Sequence, residues 1–284
     1  MQQTMKSTPV IDQVAIVTGA SSGIGAATAR ALAQQRAHVV LAARRQEQIA
    51  ALAAELAAAY AVRTLAIPTD MSRPAEIAHL VDRTVAEFGR VDILVNNAGL
   101  GLQGDVADLE AADLRYLFDV NVFGAVQAMQ AVIPPMRRQH SGVIVNISSI
   151  LGKVVVPSLG MVGSSAGYTA SKYALNAFSA ATRMELRADC IHVVTVLPGV
   201  TASEFNCNFL VTDSAQPRTV RRTGSLMGVM PTERVAARIV RAIERREREV
   251  YITLKDRVFV LAANAAPGLF EWAMRVMRAR RLRA

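Results

Sequence analysis

Short runs of aliphatic and β-branched residues alternate along the chain with alanine-rich segments whose apolar positions recur at helical spacing. The runs predict strands at residues 14–18, 38–43, 63–67, 91–95, 143–147, 193–197 and 250–253. The intervening segments predict helices at residues 24–35, 46–60, 74–88, 111–136, 168–187 and 232–246. Uniformly apolar strands separated by helices are typical of a parallel sheet covered on both faces. The pattern therefore predicts an α/β fold with a doubly wound parallel sheet.

Two segments depart from this alternation. Residues 200–230 have no clear period and mix phenylalanine and methionine with polar residues, which predicts a long flap. Beyond residue 254, apolar residues are interleaved with arginines. We therefore expect one domain over residues 1–254 and an apolar, basic, helical C-terminal extension over residues 255–284, called the extension below.

Composition narrows the class of protein. With 52% hydrophobic and 19% charged residues, the chain can bury a large core, which excludes general disorder. Two cysteines, Cys190 and Cys207, exclude a disulfide scaffold and indicate a reducing compartment, and we expect Cys190 to be buried. Residues 1–9 lack the apolar core of a secretion signal, and charge, Pro or Gly interrupts every apolar stretch short of a membrane span. These observations predict a cytoplasmic protein.

Charge and histidine placement argue against two further classes. The net charge is +9, and part of the excess lies in the last ten residues at Arg275, Arg278, Arg280, Arg281 and Arg283. This basic tail has no recognised nucleic-acid-binding module, so we expect no nucleic-acid partner. The four histidines have no metal-ligand spacing to one another or to a cysteine, so we expect no metal site.

A glycine-rich segment follows the first predicted strand directly. It reads Thr18-Gly19-Ala20-Ser21-Ser22-Gly23-Ile24-Gly25 and leads into a helix. Glycines let a backbone turn sharply and approach a pyrophosphate, while a helix N-terminus offers free N–H groups and positive potential. Such spacing also occurs in ordinary tight turns. The strand before and the helix after favour a dinucleotide site.

The same segment resembles the cofactor motif of the short-chain dehydrogenase/reductase family, whose other motifs follow in family order over residues 12–205. The matching residues are Asp70, Asn96-Asn97-Ala98-Gly99, Asn121, Ser148-Ser149, Tyr168-Thr169-Ala170-Ser171-Lys172 and Pro198-Gly199. The resemblance implies a Rossmann fold and an oxidoreductase that uses a nicotinamide dinucleotide. It also implies a homodimer or homotetramer that associates through the helices carrying Asn121 and Tyr168.

The end of the second strand bears on which dinucleotide is bound. An acid there would bind the ribose 2′-hydroxyl of NAD, but this chain has Ala43, Arg44 and Arg45 and no acid before Glu47. A guanidinium can bind a 2′-phosphate that a carboxylate would repel. The alternative is that both arginines are solvated residues at a helix start. NADP(H) is favoured over NAD(H).

The resemblance implies further cofactor contacts. They are Gly19, Ser21, Ser22, Gly23, Ile24 and Gly25 at the phosphates, Asp70 and Met71 at the adenine, Asn97, Ala98 and Gly99 at the ribose, and Tyr168, Lys172, Pro198, Gly199 and Ser203 around the nicotinamide. Ser203 stands where the family usually has threonine and keeps the hydroxyl.

Tyr168 and Lys172 are four residues apart and share one face of a predicted helix. A nearby ammonium favours phenolate, so we expect Lys172 to lower the pKa of Tyr168 toward the working range. Such a pair also occurs by chance. The resemblance makes Tyr168 the proton donor or acceptor and Lys172 its partner, which also binds the nicotinamide ribose.

The resemblance gives Ser149 a hydrogen bond to the substrate oxygen and gives Asn121 a water-linked proton path to Lys172. Asn121 has an alternative interpretation, as an ordinary helix residue that satisfies the backbone at a kink. The chain departs from the family between Ser149 and Tyr168, where residues 153–166 resemble an insertion. Ser164 or Ser165 could reach the site instead of Ser149, although reshaping of the substrate entrance is the favoured role of this insertion.

Together the motifs predict hydride transfer between nicotinamide and a carbonyl compound or secondary alcohol, and the apolar flap favours an apolar substrate. A second hypothesis makes the chain a membrane-surface or partner-binding protein, with the dinucleotide as a sensed or structural ligand. It depends on apolar residues of the extension, such as Leu269 and Trp272, lying between arginines. Alternatively, these apolar residues pack on the body or on a partner subunit. Peripheral membrane contact is compatible with enzymatic activity.

Overall fold

Short apolar strands form the centre of the molecule, as the uniformly buried runs predict. The computed structural model describes residues 8–156, 166–202, 209–211 and 229–281. Its strands are β1 Val14–Thr18, β2 His38–Ala43, β3 Thr64–Pro68, β4 Ile93–Asn96, β5 Gly101–Gln103, β6 Gly142–Ile147, β7 Ile191–Leu197, β8 Phe209–Val211 and β9 Glu249–Tyr251.

Helices occupy most of the connections between these strands. They are α1 Gly23–Gln34, α2 Gln46–Tyr60, α3 Pro74–Phe88, α4 Ala111–Phe118, α5 Gly124–Gln139, α6 Ala166–Glu185, α7 Thr232–Glu244, α8 Leu254–Ala265 and α9 Pro267–Arg281. The predicted helical extension corresponds to α8 and α9. Predicted and observed boundaries agree closely for α2 and α3, where Pro74 begins α3 and Gly89 ends it with a positive φ of 74°.

Within the described residues, seven strands pair in parallel in the order β3-β2-β1-β4-β6-β7-β9. β2 and β3 lie on one side of β1, whereas β4 and the later strands of this sheet lie on its other side. The direction in which the chain adds strands therefore reverses between β1 and β4. In such a sheet a crevice opens beyond the carboxyl ends of the strands at the point of reversal. The predicted doubly wound α/β fold is confirmed, and this crevice is where a ligand site is expected.

The two faces of the sheet carry separate hydrophobic cores. In β1, Ala15 and Val17 face the core formed with α1, α2 and α7, whereas Val14 and Ile16 face the core formed with α3 and α5. Side chains alternate between faces along a strand, so burial on both faces requires every position to be apolar. This requirement explains why the strand runs are continuously hydrophobic rather than alternating.

The single helix predicted over residues 111–136 is wrong, because the chain forms α4, a π-helical turn over Asp119–Phe123 and then α5. Gly124 follows the turn, and a methyl group there would run into the backbone carbonyl of Met71. The start of α5 therefore lies too close to the backbone of Met71 for any side chain at this position. Asn121 lies inside the π turn, where an extra residue redirects its side chain relative to a regular helix.

The combined helical run Ala111–Gln139 has the length and composition of a membrane-crossing helix among the described residues, contrary to the sequence expectation. Half of the relevant window is buried inside the fold. Core residues such as Met129 and Val132 in α5 pack under the sheet. The run therefore serves as a core helix in this fold, and its composition alone is weak support for membrane insertion.

A second, smaller pairing was not predicted. β8 pairs in parallel with β5, with Gly101 opposite Phe209 and Gln103 opposite Val211. Residues 209–211 belong to the predicted flap, so this pairing fixes one part of the flap beside the loop that follows β4. Residues 157–165 and 203–208, with Ser164, Ser165, Ser203 and Cys207, lie outside the described residues, as do residues 212–228. Cys190, expected to be buried, is exposed.

The extension packs against the body of the domain. Val260 and Ala263 of α8 share a core with Ile150, Val154 and Leu197. Phe259 and Phe270 meet edge to face at 5.5 Å between ring centroids, which joins α8 to α9. The extension therefore contacts the residues that directly follow β6 and end β7.

Candidate active site

The turn between β1 and α1 (residues 19–25, the glycine turn) is shaped by its glycines. Gly19 and Gly23 have positive φ values of 64° and 57°, a region that favours glycine. A methyl group on Gly25 would run into the carbonyl of Gly19, so α1 and the turn approach too closely for a side chain. Ile24 packs partly against the core and anchors the start of α1.

The N-terminus of α1 has the features of an anion site. Ser22 occupies the N-cap position but makes no side-chain cap hydrogen bond, and the first turn contains no acidic residue. The leading N–H groups therefore lack a side-chain cap, and the positive end of the helix dipole is not neutralised locally. The geometry suits a phosphate group placed over the glycine turn.

Thr18 and Asn97 join the glycine turn to the loop after β4. The Thr18 hydroxyl accepts hydrogen bonds from the backbone N–H groups of Asn97 and Ala98, both at 3.0 Å. The Asn97 side-chain amide donates to the carbonyls of Thr18 at 2.9 Å and Gly19 at 3.2 Å. Sequence reasoning quoted Thr18 only as part of the motif and missed this role, although a threonine at the carboxyl end of a buried strand was a usable signal.

The two arginines after β2 have different partners. Arg45 donates hydrogen bonds to the hydroxyls of Ser21 at 2.9 Å and Ser22 at 2.8 Å, so its guanidinium lies against the glycine turn. Arg44 donates to the hydroxyl of Tyr116 at 3.0 Å. Both arginines are exposed, and Arg45 is the one whose guanidinium contacts the serines of the glycine turn.

Asp70 and Met71 follow β3 at the same edge of the sheet. The carboxylate of Asp70 accepts hydrogen bonds from the backbone and hydroxyl of Ser72 at 2.9 and 2.8 Å. Burial by itself would raise the pKa of Asp70, but the hydrogen bonds from Ser72, aided by the charges of Arg44 and Arg73, lower it below its ordinary value. Asp70 is therefore an ionised hydrogen-bond acceptor at neutral pH, beside the buried Met71.

Ser149, Tyr168 and Lys172 form one buried cluster where β6 ends and α6 begins. The hydroxyl of Tyr168 is hydrogen-bonded to Ser149. Ser149 also accepts a hydrogen bond from the backbone N–H of Leu151 at 3.1 Å, which fixes its rotamer. The Lys172 ammonium donates to the carbonyl of Ile147 at 2.9 Å and lies 5.6 Å from the centre of the Tyr168 ring.

Burial dominates the protonation of this cluster. It raises the pKa of Tyr168 to about 12, against the opposing effect of the Ser149 hydrogen bond, and it lowers the pKa of Lys172 to about 8. The expectation that the pKa of Tyr168 is lowered toward the working range is therefore wrong, because desolvation of the phenolate outweighs the hydrogen bond from Ser149. Tyr168 is a protonated hydrogen-bond donor at neutral pH.

Asn121 is held by backbone hydrogen bonds. Its side chain accepts from the N–H of Leu100 at 2.7 Å, donates to the carbonyl of Leu100 at 2.9 Å and donates to Ser171 at 3.0 Å. These contacts match the interpretation of an asparagine that satisfies the backbone at a kink. A methyl group on Gly99 would lie 3.3 Å from Asn121 Oδ1 and 3.7 Å from Lys172 Nζ, so all three residues meet at one point.

The turn formed by Pro198 and Gly199 at the end of β7 (the Pro-Gly turn) completes this edge of the site. The carbonyl of Pro198 accepts a hydrogen bond from the N–H of Ile150 at 3.0 Å, which joins the turn to the residues after Ser149. Gly199 lies against Asp256 of α8, a neighbour that sequence reasoning did not single out. Among the described residues, no group of three histidine, cysteine or acidic side chains could hold a metal ion.

Comparison with known proteins gives consistent matches. The sequence model of the short chain dehydrogenase family matches residues 13–212. A Bos taurus protein named dehydrogenase/reductase SDR family member 7B is 32% identical over 282 residues, which cover 96% of this chain and 83% of the bovine chain.

Two solved structures share the architecture over nearly the whole length. A short-chain dehydrogenase from Sphingobium yanoikuyae in complex with NADPH has 30% identity and a TM-score of 0.72, with 91% of this chain and 95% of that chain covered. A short chain dehydrogenase/reductase from Burkholderia phymatum in complex with NAD has 25% identity and a TM-score of 0.81, with coverage of 92% and 96%.

Proposed function

The chain belongs to the short-chain dehydrogenase family, and from this premise we propose that it is an NADP(H)-dependent oxidoreductase acting on a carbonyl compound or secondary alcohol. The observation that carries the proposal is the buried cluster of Ser149, Tyr168 and Lys172. This cluster lies at the same sheet edge as the glycine turn. In this proposal residues 1–254 form the dinucleotide-binding and catalytic domain, and residues 255–284 form the extension.

The residues at the sheet edge fit a nicotinamide dinucleotide. The glycine turn and the N-terminus of α1 suit the pyrophosphate, since no side chain caps the first N–H groups. Gly99 keeps the ribose side open beside Asn121 and Lys172. Asp70 and Met71 suit the adenine side, with Asn97 and Ala98 between. When bound, the nicotinamide supplies or accepts the hydride.

The proposed preference for NADP(H) depends on Arg45. Its guanidinium lies on the hydroxyls of Ser21 and Ser22, where a ribose 2′-phosphate beside the glycine turn would meet it. β2 ends in Ala43, so no carboxylate opposes the phosphate at that position. One of the two solved relatives is in complex with NADPH and the other with NAD, so the preference of this chain is argued from its own arginine.

Replacing Arg45 with alanine is expected to raise the Kd for NADPH about 10-fold to 100-fold, as loss of hydrogen bonds of about 1.5–3 kcal/mol to a charged group implies. The affinity for NADH should not change. Titration of each nucleotide by nicotinamide fluorescence measures both constants. Arg137→Ala is the matched control, because Arg137 is an exposed arginine paired with Asp189 away from the glycine turn. Equal affinity of the wild type for both nucleotides would remove the proposed preference.

The protonation of Tyr168 supports carbonyl reduction near neutral pH. A phenol with a pKa of about 12 keeps its proton and can donate it to a carbonyl oxygen as charge develops there. Ser149 is hydrogen-bonded to Tyr168 and accepts from the Leu151 N–H, which holds its hydroxyl beside the phenol, where both can bind the same substrate oxygen. Lys172 and Asn121 then hold the catalytic helix and the loop after β4 in place. An apolar substrate is proposed from the apolar residues of the flap.

The outer face of α6 supports the proposed homo-oligomer. Tyr173 and Phe178 are 41% and 42% exposed, and the exposed positions between Ala170 and Ala181 carry no charge. Small residues between aromatic ones let a second helix approach closely. Phe178→Arg is expected to produce monomers in sedimentation equilibrium. Leu261→Arg, an equally polar change at an exposed site on α8, should leave the subunit count unchanged.

Exposed apolar residues of the extension also favour a second proposal, in which the cytoplasmic enzyme contacts an anionic membrane surface through α8 and α9. Leu254, Val258 and Leu261 form one exposed face of α8, and Trp272 of α9 is 61% exposed. The cations Lys255, Arg257 and Arg275 are exposed on the same two helices. Flotation with phosphatidylglycerol vesicles checks this contact, and protein that stays with the unbound fraction would exclude it.

A further inference from the structure

At Gly199, α8 leaves no room for a side chain. A methyl group on this glycine would lie 2.6 Å from Oδ1 of Asp256, 3.3 Å from Cγ and 3.5 Å from Oδ2. Gly199 is not among the described glycines with positive φ, so backbone conformation does not require glycine there. The direction that a side chain would take is therefore filled by a carboxylate of the extension.

The carboxylate of Asp256 has a fixed orientation. Its Oδ2 accepts hydrogen bonds from the backbone N–H and the hydroxyl of Thr253 at 3.1 and 2.7 Å. The N–H of Asp256 donates in return to the Thr253 hydroxyl at 3.0 Å, which completes a capping box at the start of α8. The side chain is 5% exposed. With Oδ2 engaged, Oδ1 is turned toward Gly199.

The Pro-Gly turn is therefore held from two sides. On one side the carbonyl of Pro198 accepts from the N–H of Ile150, directly after Ser149. On the other side the Asp256 carboxylate lies against Gly199. One turn further along α8, Val260 packs with Leu197 and Ile150. The capping box alone would explain the bonds between Thr253 and Asp256, but it does not require contact with a cofactor turn.

We propose that Asp256 is a positioning residue of the cofactor site, which fixes the Pro-Gly turn and couples the docking of α8 to nicotinamide dinucleotide binding. The proposal rests on the proposed function, since it takes this turn to face the nicotinamide. Coupling between two sites is reciprocal for binding free energies. Bound nucleotide should therefore stabilise α8, and a displaced α8 should weaken nucleotide binding.

A size exchange between Gly199 and Asp256 tests the contact. Gly199→Ala introduces a methyl group into the carboxylate, and Asp256→Ala removes all three of the nearest atoms that this methyl group would meet. The double variant Gly199→Ala with Asp256→Ala should therefore relieve the clash. Gly268→Ala is the matched control, because a methyl group on Gly268 of α9 meets nothing within 4 Å.

Two measurements on the full chain test this pair of substitutions. The first is the Kd for NADPH from nicotinamide fluorescence, and the second is hydrogen exchange of the α8 amides without nucleotide. Overpacking forces neighbouring groups to shift, so Gly199→Ala should displace the Pro-Gly turn, weaken NADPH binding about 5-fold to 100-fold and speed the hydrogen exchange of the α8 amides. The double variant should bind NADPH more tightly than Gly199→Ala alone and restore slow exchange. Asp256→Asn, which keeps the shape and an acceptor oxygen, should remain close to wild type.

Additive effects of the two substitutions would overturn the inference, because residues in contact must show a coupling energy. Faster exchange of α8 in Gly199→Ala with unchanged NADPH affinity would reduce Asp256 to a structural cap and also overturn it. Wild-type protein that binds neither nucleotide would overturn the proposed function, and with it this inference. Wild-type binding of NADPH with no rescue in the double variant would overturn the inference alone.

Discussion

Tyr168→Phe is expected to lower kcat for carbonyl reduction about 10³-fold, within the range that positioned general acids contribute. The substitution removes one oxygen from a buried residue whose hydroxyl is bonded to Ser149. The ring still fills the same space, so the fold should be retained. Because Tyr168 is a protonated donor at neutral pH, loss of the hydroxyl removes the proton that neutralises the developing alkoxide.

The measurement is NADPH oxidation with a panel of apolar ketones and aldehydes, with the Kd for NADPH determined on the same protein. Tyr173→Phe is the matched control, since Tyr173 lies on the same helix with its side chain half exposed. The Kd for NADPH should stay close to wild type in both variants. Turnover by Tyr168→Phe within a few-fold of the wild type, on a substrate that the wild type reduces, would show that another group donates the proton.

Lys172→Met is expected to reduce turnover about 100-fold or more. The variant lacks the ammonium that lies near Tyr168 and Gly99, where the proposed site holds the nicotinamide ribose. Methionine has a similar length without charge, so packing around α6 should be retained. The hydrogen bond from Lys172 Nζ to the carbonyl of Ile147 is lost. NADPH affinity should also fall, because the ammonium lies at the proposed ribose position.

The same variant should change how stability depends on pH. Burial lowers the pKa of Lys172 from 10.5 to about 8, so above pH 8 the folded protein has released a proton that the unfolded chain still binds. Stability therefore rises with pH between 8 and 10.5. Tyr168 opposes this only above pH 10, because its pKa is raised from 10.0 to about 12 in the folded protein.

Urea unfolding of both proteins between pH 7 and 10 measures this difference. Relative to Lys172→Met, the wild type should gain about 2.5 kcal/mol over that interval, at 1.36 kcal/mol for each pH unit between the two pKa values. Lys255→Met is the control, since Lys255 is exposed on α8 and should leave the pH dependence of the wild type intact. Parallel curves for wild type and Lys172→Met would mean that Lys172 is not a desolvated ammonium in the folded protein.

Local sequence patterns predict most of the strands and helices of the fold. Strands such as 14–18 and 38–43 match the predicted bounds, because burial on both faces forces continuous apolar runs that stand out from alanine-rich helices. The glycine turn was also predictable, because all of its residues are adjacent in sequence. The grouping of Ser149, Tyr168 and Lys172 depended on the family resemblance, because their spacing alone does not determine a site.

Features that depend on distant contacts could not be predicted. The π turn around Asn121 precedes Gly124, which approaches the carbonyl of Met71, a contact between separate elements that no local pattern reveals. The protonation of Tyr168 depends on how completely three-dimensional packing excludes water around it. Asp256 has an ordinary capping pattern in sequence, and its contact with Gly199 exists only after the extension docks.

The pairing of β8 with β5 has a consequence for protein engineering. Among the described residues of the flap, residues 209–211 enter this ladder, and their partners 101–103 adjoin α6 through Leu102, which lies against Gly167. A redesign of the proposed flap should therefore keep Phe209–Val211, whose backbone pairs with residues 101–103. Retaining those three residues preserves the register between β8 and β5, and with it the contact of Leu102 with Gly167, the residue before Tyr168.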